Sequence, residues 1–351
     1  MKSTRIFSRR RFLQASTAAT TVFAMGSSAN AAGISKQYAG LKSGKFLGKV
    51  KTLATVEDKK VFLEGPAVDG AGEVFFTNVP MEKILRWSPR AGKLTTFREK
   101  SNKANGLLFD PKGRLLACEG GAGRVTRTDM ATGKITVLAN KFNGFPLAAP
   151  NDLELTASGK LFFTSRPGTT DPKKGNPNAV YRLDLDPKLP GGRIIHQVLA
   201  WPKVHMPNGI VISPDGKSLY LIEAHPDADR NRSILAFDLD KGGRLSNRRT
   251  HINLYPGRSG DGMCIDAEGN LYVAAGLHKT RRTSETLDTR PGIHVISPAG
   301  KLVAFRETPT DTITNCTFGG ADLRTLYITS GKHLHSIRTT VPGKGSYKIG
   351  G

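Results

Sequence analysis

Six residues stand at matching points of a repeated pattern and together could do chemistry: Glu64, Asn105, Asn151, Asn208, Asp261 and Asn315. Two carboxylates and four amide oxygens make a hard-oxygen donor set of low charge. Such a set suits Ca2+, Mg2+ or Mn2+ better than a thiolate-seeking metal. No H-E-x-x-H motif and no paired Cys/His spacing points to a zinc cluster. Taken singly, an Asn or Asp before Gly is an ordinary turn former, because its side chain bonds local backbone and tolerates left-handed φ. Their recurrence at one point of the repeat carries the signal. Glu64 adds to it, since glutamate has no special role in turns.

The elements that must position these residues are read from the repeat itself. Each unit is a polar loop, a short apolar strand, a tight glycine turn and a second apolar strand. The units run "AVDGAGEVFFTN", "LLFDPKGRLLACE", "LELTASGKLFFTS", "IVISPDGKSLYLIEA", "MCIDAEGNLYVAA" and "CTFGGADLRTLYITS". Turns such as Asp110–Gly113, Ser213–Gly216 and Asp266–Gly269 put glycine where the chain reverses. Further strand-like runs follow, for example 179–184, 233–238 and 292–297. The six loop residues are separated by 41, 46, 57, 53 and 54 residues, and propeller blades run about 40–50 residues with insertions in loops. One copy cannot bury its own faces, so the units must pack radially around a channel. The sequence therefore predicts an all-β, six-bladed β-propeller over residues 48–351. Residues 48–56, which precede the first unit, are expected to close it by supplying an outer strand to the last blade. In that architecture the six loop residues converge on the channel rim.

The stretches "FLEGPAVD", "ANGLLFDPKGRLLACEGG", "APNDLEL", "MPNGIVISPDGKSLYLIE", "GDGMCIDAEGNLYVAA" and "TNCTFGGADLRTLYITS" resemble the gluconolactonase/regucalcin (senescence marker protein) family, in its bacterial lactonase branch. The resemblance covers roughly residues 48–338. It implies a propeller with one divalent cation, calcium first and Mg2+, Mn2+ or Zn2+ after it, and hydrolysis of a lactone substrate. By motif it implies metal ligation by Glu64, Asn208 and Asp261. Asn151 would lie at the metal or reach it through substrate, and Asn105 and Glu119 would face substrate. Ala149 stands where the animal branch carries an arginine, so that contact to a polar aldonolactone is not expected here.

A cation at such a site stabilises charge on the carbonyl oxygen and lowers the pKa of bound water. Asp261 is the candidate general base. An ester-like ring needs no protein nucleophile, in keeping with the absence of a G-x-S-x-G elbow. His205 and His225 flank the fourth unit and are secondary candidates for proton transfer. Two other readings remain open: an ester or phosphoester hydrolase on the same metal, and a non-catalytic propeller that binds a ligand or polyanion.

Ser8-Arg9-Arg10-Arg11-Phe12-Leu13-Gln14, an apolar stretch to Met25 and Ala29-Asn30-Ala31 read as a twin-arginine-type signal over residues 1–31. Residues 32–47 read as a linker. This predicts a periplasmic or extracytoplasmic protein, and no stretch is long and apolar enough for a membrane span. Losing Lys2, Arg5, Arg9, Arg10 and Arg11 with the signal lowers the net charge from +23 to +18. The basic residues are scattered, without a block or an aromatic platform, which argues against specific nucleic-acid binding and allows weak polyanion contact. Cys118, Cys264 and Cys316 sit in apolar runs and read as buried thiols.

Overall fold

The computed structural model describes residues 37–185 and 193–345. The signal predicted over 1–31 lies outside the described residues. The described residues from Gly40 onward form a compact unit. Within it six four-stranded antiparallel sheets follow one another along the chain. Their innermost strands are Leu63–Val68, Ala104–Phe109, Pro150–Leu155, Pro207–Ile212, Gly260–Ile265 and Ile313–Gly319. Each inner strand packs against the inner strand before and after it, and the sixth packs against the first. The sheets therefore close into the six-bladed propeller that the repeat predicts.

Closure comes from Leu47–Thr55, which pairs antiparallel with His333–Thr339 as the outer strand of the sixth sheet. The end of the segment read as a linker is part of this seam. Ser43–Lys45 forms a short 3-10 turn, the Ser43 hydroxyl accepts the N–H of Phe305 at 3.0 Å, and Leu47 is fully buried.

The apolar core lies between blades rather than within one. Between the second and third, Leu116, Cys118 and Val125 meet Leu153, Leu161, Phe163 and Tyr181. Between the fifth and sixth, Tyr272, Ile293 and Val295 meet Cys316, Ile328 and Ile337. Strands buried on both faces need not alternate, which is why Leu161–Ser165 reads as an unbroken buried run. The predicted turns form as expected: the N–H groups of Gly113, Gly216 and Gly269 reach the carbonyls of Asp110, Ser213 and Asp266, with φ between +72° and +84°.

One irregularity matters for function. In all six inner strands the ladder slips near the N-terminal end, between Glu64 and Ala67, Ala104 and Leu107, Pro150 and Leu153, Pro207 and Ile210, Gly260 and Met263, and Ile313 and Asn315. Such a bulge twists the strand and re-aims its side chains. Asn105, Asn151, Asn208 and Asp261 all sit inside these bulges, while Glu64 and Asn315 border theirs.

Truncating a blade-to-blade contact is expected to cost far more than truncating a rim side chain. Ile328→Ala should lose about 2–5 kcal/mol of stability. Ile135→Ala, at a half-exposed outer position, should lose no more than about 0.5 kcal/mol. Chemical denaturation midpoints with unchanged slopes would establish the difference.

Candidate functional site

Glu64, Asn151, Asn208, Asp261 and Asn315 are all buried at the end of the ring where the bulges lie, and Asn105 is half-buried beside them. Their approach depends on glycine. A Cβ on Gly65, whose φ is +48°, would stand 2.2 Å from the Asn105 carbonyl oxygen. A Cβ on Gly262 would fall 2.0 Å from the Asn315 side-chain carbon, and one on Gly209 would lie 2.7 Å from the Asp261 carbonyl oxygen. Only residues without a side chain let successive inner strands come this close.

In the third blade the matching slot holds Asp152 instead of glycine. Asp152 was not among the sequence candidates, although a carboxylate where other units have glycine is a signal that could have found it. Both of its oxygens accept from Asn315 Nδ2 at 3.1 Å, which links the third blade to the sixth. Three buried carboxyls thus share one region. Glu64 is held well above the usual carboxylate range by burial, then by the charges of Asp261 and Asp152, with Arg166 opposing. Asp152 is pushed up to about 7 by burial and by Asp261.

Asp261 is the most heavily engaged. Its Oδ1 accepts from Asn208 Nδ2 at 2.5 Å, and its Oδ2 accepts from Arg258 Nη2 at 2.6 Å. Arg166 Nη2 lies 3.7 Å from Oδ1. Neither arginine shows in the repeat pattern, because Arg258 precedes its inner strand and Arg166 follows the second strand of the third blade.

Glu119 stands apart from this group. Fully buried in the second blade, its carboxylate accepts from Arg98 (2.6 Å), Arg124 (2.7 Å), Thr126 (2.8 Å) and Asn102 (3.1 Å). Its place at the end of a second strand matches Glu223 and Asn78, whose oxygens hold the N–H groups of His205 and Met206 and of Phe62. The position anchors the incoming loop. His205 lies on the rim, its ring 5.1 Å from that of Trp201 and its Nδ1 accepting the Asn231 N–H. His225 is 6.4 Å from His205 between ring centres.

Among the described residues, no three His, Cys, Asp or Glu side chains stand close enough to clasp an ion by themselves. Amide oxygens must therefore contribute to any cation site. Two are available: the Oδ1 atoms of Asn105 and Asn151 are buried without a hydrogen-bond partner. Leaving such an acceptor unmet costs about 1–3 kcal/mol. A hard cation would meet both needs, satisfying orphaned oxygens and relieving repulsion among the carboxylates. Glu64, Asn151, Asn208 and Asp261 fit that role. Asn208 keeps Oδ1 as its acceptor, and the Asp261 carboxylate has more lone pairs than its present partners use.

Residues 62–332 match the sequence profile of the SMP-30/Gluconolactonase/LRE-like region. A gluconolactonase of Zymomonas mobilis is 28% identical over 309 residues, covering 80% of this chain and 79% of its own. The regucalcin of Xenopus laevis is 27% identical, covering 74% and 79%. In three dimensions a gluconolactonase of Xanthomonas campestris superposes with a TM-score of 0.66 at 28% identity, covering 83% of this chain and 89% of that one.

The raised carboxyl of Asp152 has a consequence for metal-free protein. Between about pH 4 and 7 the folded state holds a proton that the unfolded chain has lost, so stability should fall as pH rises through that window. Thermal unfolding in chelator across this range should show the fall, and Asp152→Asn should make it shallower, the remainder coming from Glu64 and Glu223, which burial also raises.

Proposed function

This chain belongs to the SMP-30/gluconolactonase/LRE-like family, and on that premise we propose that it is a divalent-metal-dependent hydrolase that opens a lactone ring. The observation that carries the reading is the pairing of orphaned amide oxygens with mutually repelling buried carboxyls at one end of the ring. That pairing is what a hard-cation site requires and what a purely structural core avoids. The gluconolactonases among its relatives supply the substrate class.

In this reading Glu64, Asn151, Asn208 and Asp261 hold the ion, with calcium the first choice. When bound, such an ion supplies Lewis acidity toward a carbonyl oxygen and a more acidic water. The protein does the rest. Asp261 accepts the proton of the attacking water, and Arg258, hydrogen-bonded also to the Ile313 carbonyl at 3.1 Å, fixes the orientation of that carboxylate. Asn105 and Asn151 turn amide groups toward the ring substrate. No side chain need become acylated, because the ester-like bond yields to water directly. In the same reading the Arg9-Arg10-Arg11 run supports export by the twin-arginine route to a periplasmic or extracytoplasmic location.

Hydrolysis of a small lactone panel should stop on chelation and return with added Ca2+, Mg2+ or Mn2+. Asp261→Ala should lower kcat by about 10²–10⁴-fold. Activity that survives chelation, or an Asp261→Ala enzyme equal to wild type, would falsify the metal-site mechanism.

A further inference from the structure

Arg166 follows directly on the strand Leu161–Ser165, and its backbone N–H donates to the Ala149 carbonyl at 2.9 Å. Its side chain thus starts beside the loop that delivers Asn151. The guanidinium is loosely held. Its nearest acid, Asp261, is 3.7 Å away, beyond hydrogen-bond length, and its Nε is buried without a partner. Among the described residues its five N–H donors make no hydrogen bond within the protein, although the side chain is only 22% exposed. A half-buried, unspent donor fork beside Asp261 asks for an acceptor from outside. Arg258 cannot play that part, being bound to Asp261 and to the Ile313 carbonyl.

Charge gives the class of that acceptor. Arg281, on the loop after the second strand of the fifth blade, lies within the field of both Arg258 and Asp261. The acids Asp311 and Glu285 act on Arg281 as well, so its charge is met by carboxylates of its own surroundings. Arg166 spends its charge on no hydrogen-bonded carboxylate, which favours a negatively charged acceptor.

We propose that Arg166 is a substrate-binding residue and that it makes this site select lactones bearing a carboxylate or similar anionic substituent. The selection rests on the lactonase reading above. A guanidinium meets a carboxylate through two parallel hydrogen bonds, and such charge-assisted contacts discriminate against a neutral isostere.

The test compares γ-butyrolactone carrying a ring carboxylate with its carboxamide, which has the same shape and no charge. Calcium-loaded wild type should prefer the carboxylate by about ten- to a hundredfold in kcat/KM, expressed in KM. Arg166→Gln should erase the preference, and Arg166→Lys should restore part of it. Arg90→Gln, which removes the same charge from an exposed turn, should keep it. Equal use of the two lactones by wild type, or an undiminished preference in Arg166→Gln, overturns the proposal. Tetrahydrofuran-2-carboxylate, which has no ester to open, separates the two levels of the argument. Calorimetry should show it binding chelated wild type, and binding Arg166→Gln at least tenfold more weakly. Absence of binding to wild type also overturns the anion site. If neither lactone opens while this ring acid binds through Arg166, the lactonase reading fails and the anion site stands.

Discussion

Close backbone approach between neighbouring inner strands is the constraint from which the rest of this molecule follows. At Gly65, Gly106, Gly209 and Gly262 any side chain would collide with the bulge of the next blade. That contact sets how tightly the blades can gather at this end of the channel. It also decides where the bulges point, because a strand pressed against its neighbour can turn the preceding side chain only inward. The polar residues therefore converge as a result of packing. Apolar contacts between blades stabilise the ring, and the glycines determine what its axis presents.

Convergence of this kind creates an electrostatic problem. Three carboxyls in a dry region repel one another, and burial disfavours the charge on each. The protein offsets this in two ways: Asn208 and Asn315 donate amide hydrogens to Asp261 and Asp152, and Arg258 forms a buried ion pair with Asp261. A buried pair of this kind contributes little net stability. What it does is hold one carboxylate in a fixed orientation. Among the described residues Glu64 has only the adjacent Gly65 N–H at 3.2 Å, and two amide oxygens have no partner. The balance is left incomplete where an ion and a substrate would complete it, a pattern expected of functional sites rather than of cores.

The fold was legible because the repeat writes the same turn chemistry six times. The loop position was legible for the same reason. Legibility ended where residues leave the repeat. Asp152 occupies a glycine slot, and its neighbour Asn151 drew attention away from it. Arg166 and Arg258 sit at strand ends where the other units carry no arginine. Glu119 shows the opposite difficulty, since a family-like motif marked it for substrate while four donors surround it, Arg124 and Thr126 from its own blade, Arg98 from the blade before and Asn102 from the loop between them. Local sequence cannot tell a carboxylate aimed at a channel from one aimed at an arginine. Ala149 belongs here as well. The arginine that the animal branch carries is absent at 149, while Arg166 lies a single backbone hydrogen bond away from that position.

The Asp152–Asn315 contact does more than relieve charge. It joins the third and sixth blades, so it crosses the ring at the inner edge of the site. Beyond it the channel opens into a cavity of about 660 Å³ lined mainly by apolar side chains such as Leu107, Phe109, Leu153, Ile210, Met263 and Phe318. At that far mouth Lys344 reaches Glu154 at 2.9 Å and the Ile212 carbonyl at 2.8 Å. The stretch before it is tied to the fifth blade through the Ile265 and Pro342 carbonyls. The polar and apolar halves of the channel are thus separated by a hydrogen-bonded floor. The apolar side offers a polar ring compound few groups besides Asp69, Asp110, Glu154, Thr317 and Lys344, whereas the loop side carries the bulge residues. On that loop side Arg166 lies beside Asp261, and Asn105 and Asn151 present amide oxygens that have no partner among the described residues, so the crossing contact divides the channel into two chemically different halves.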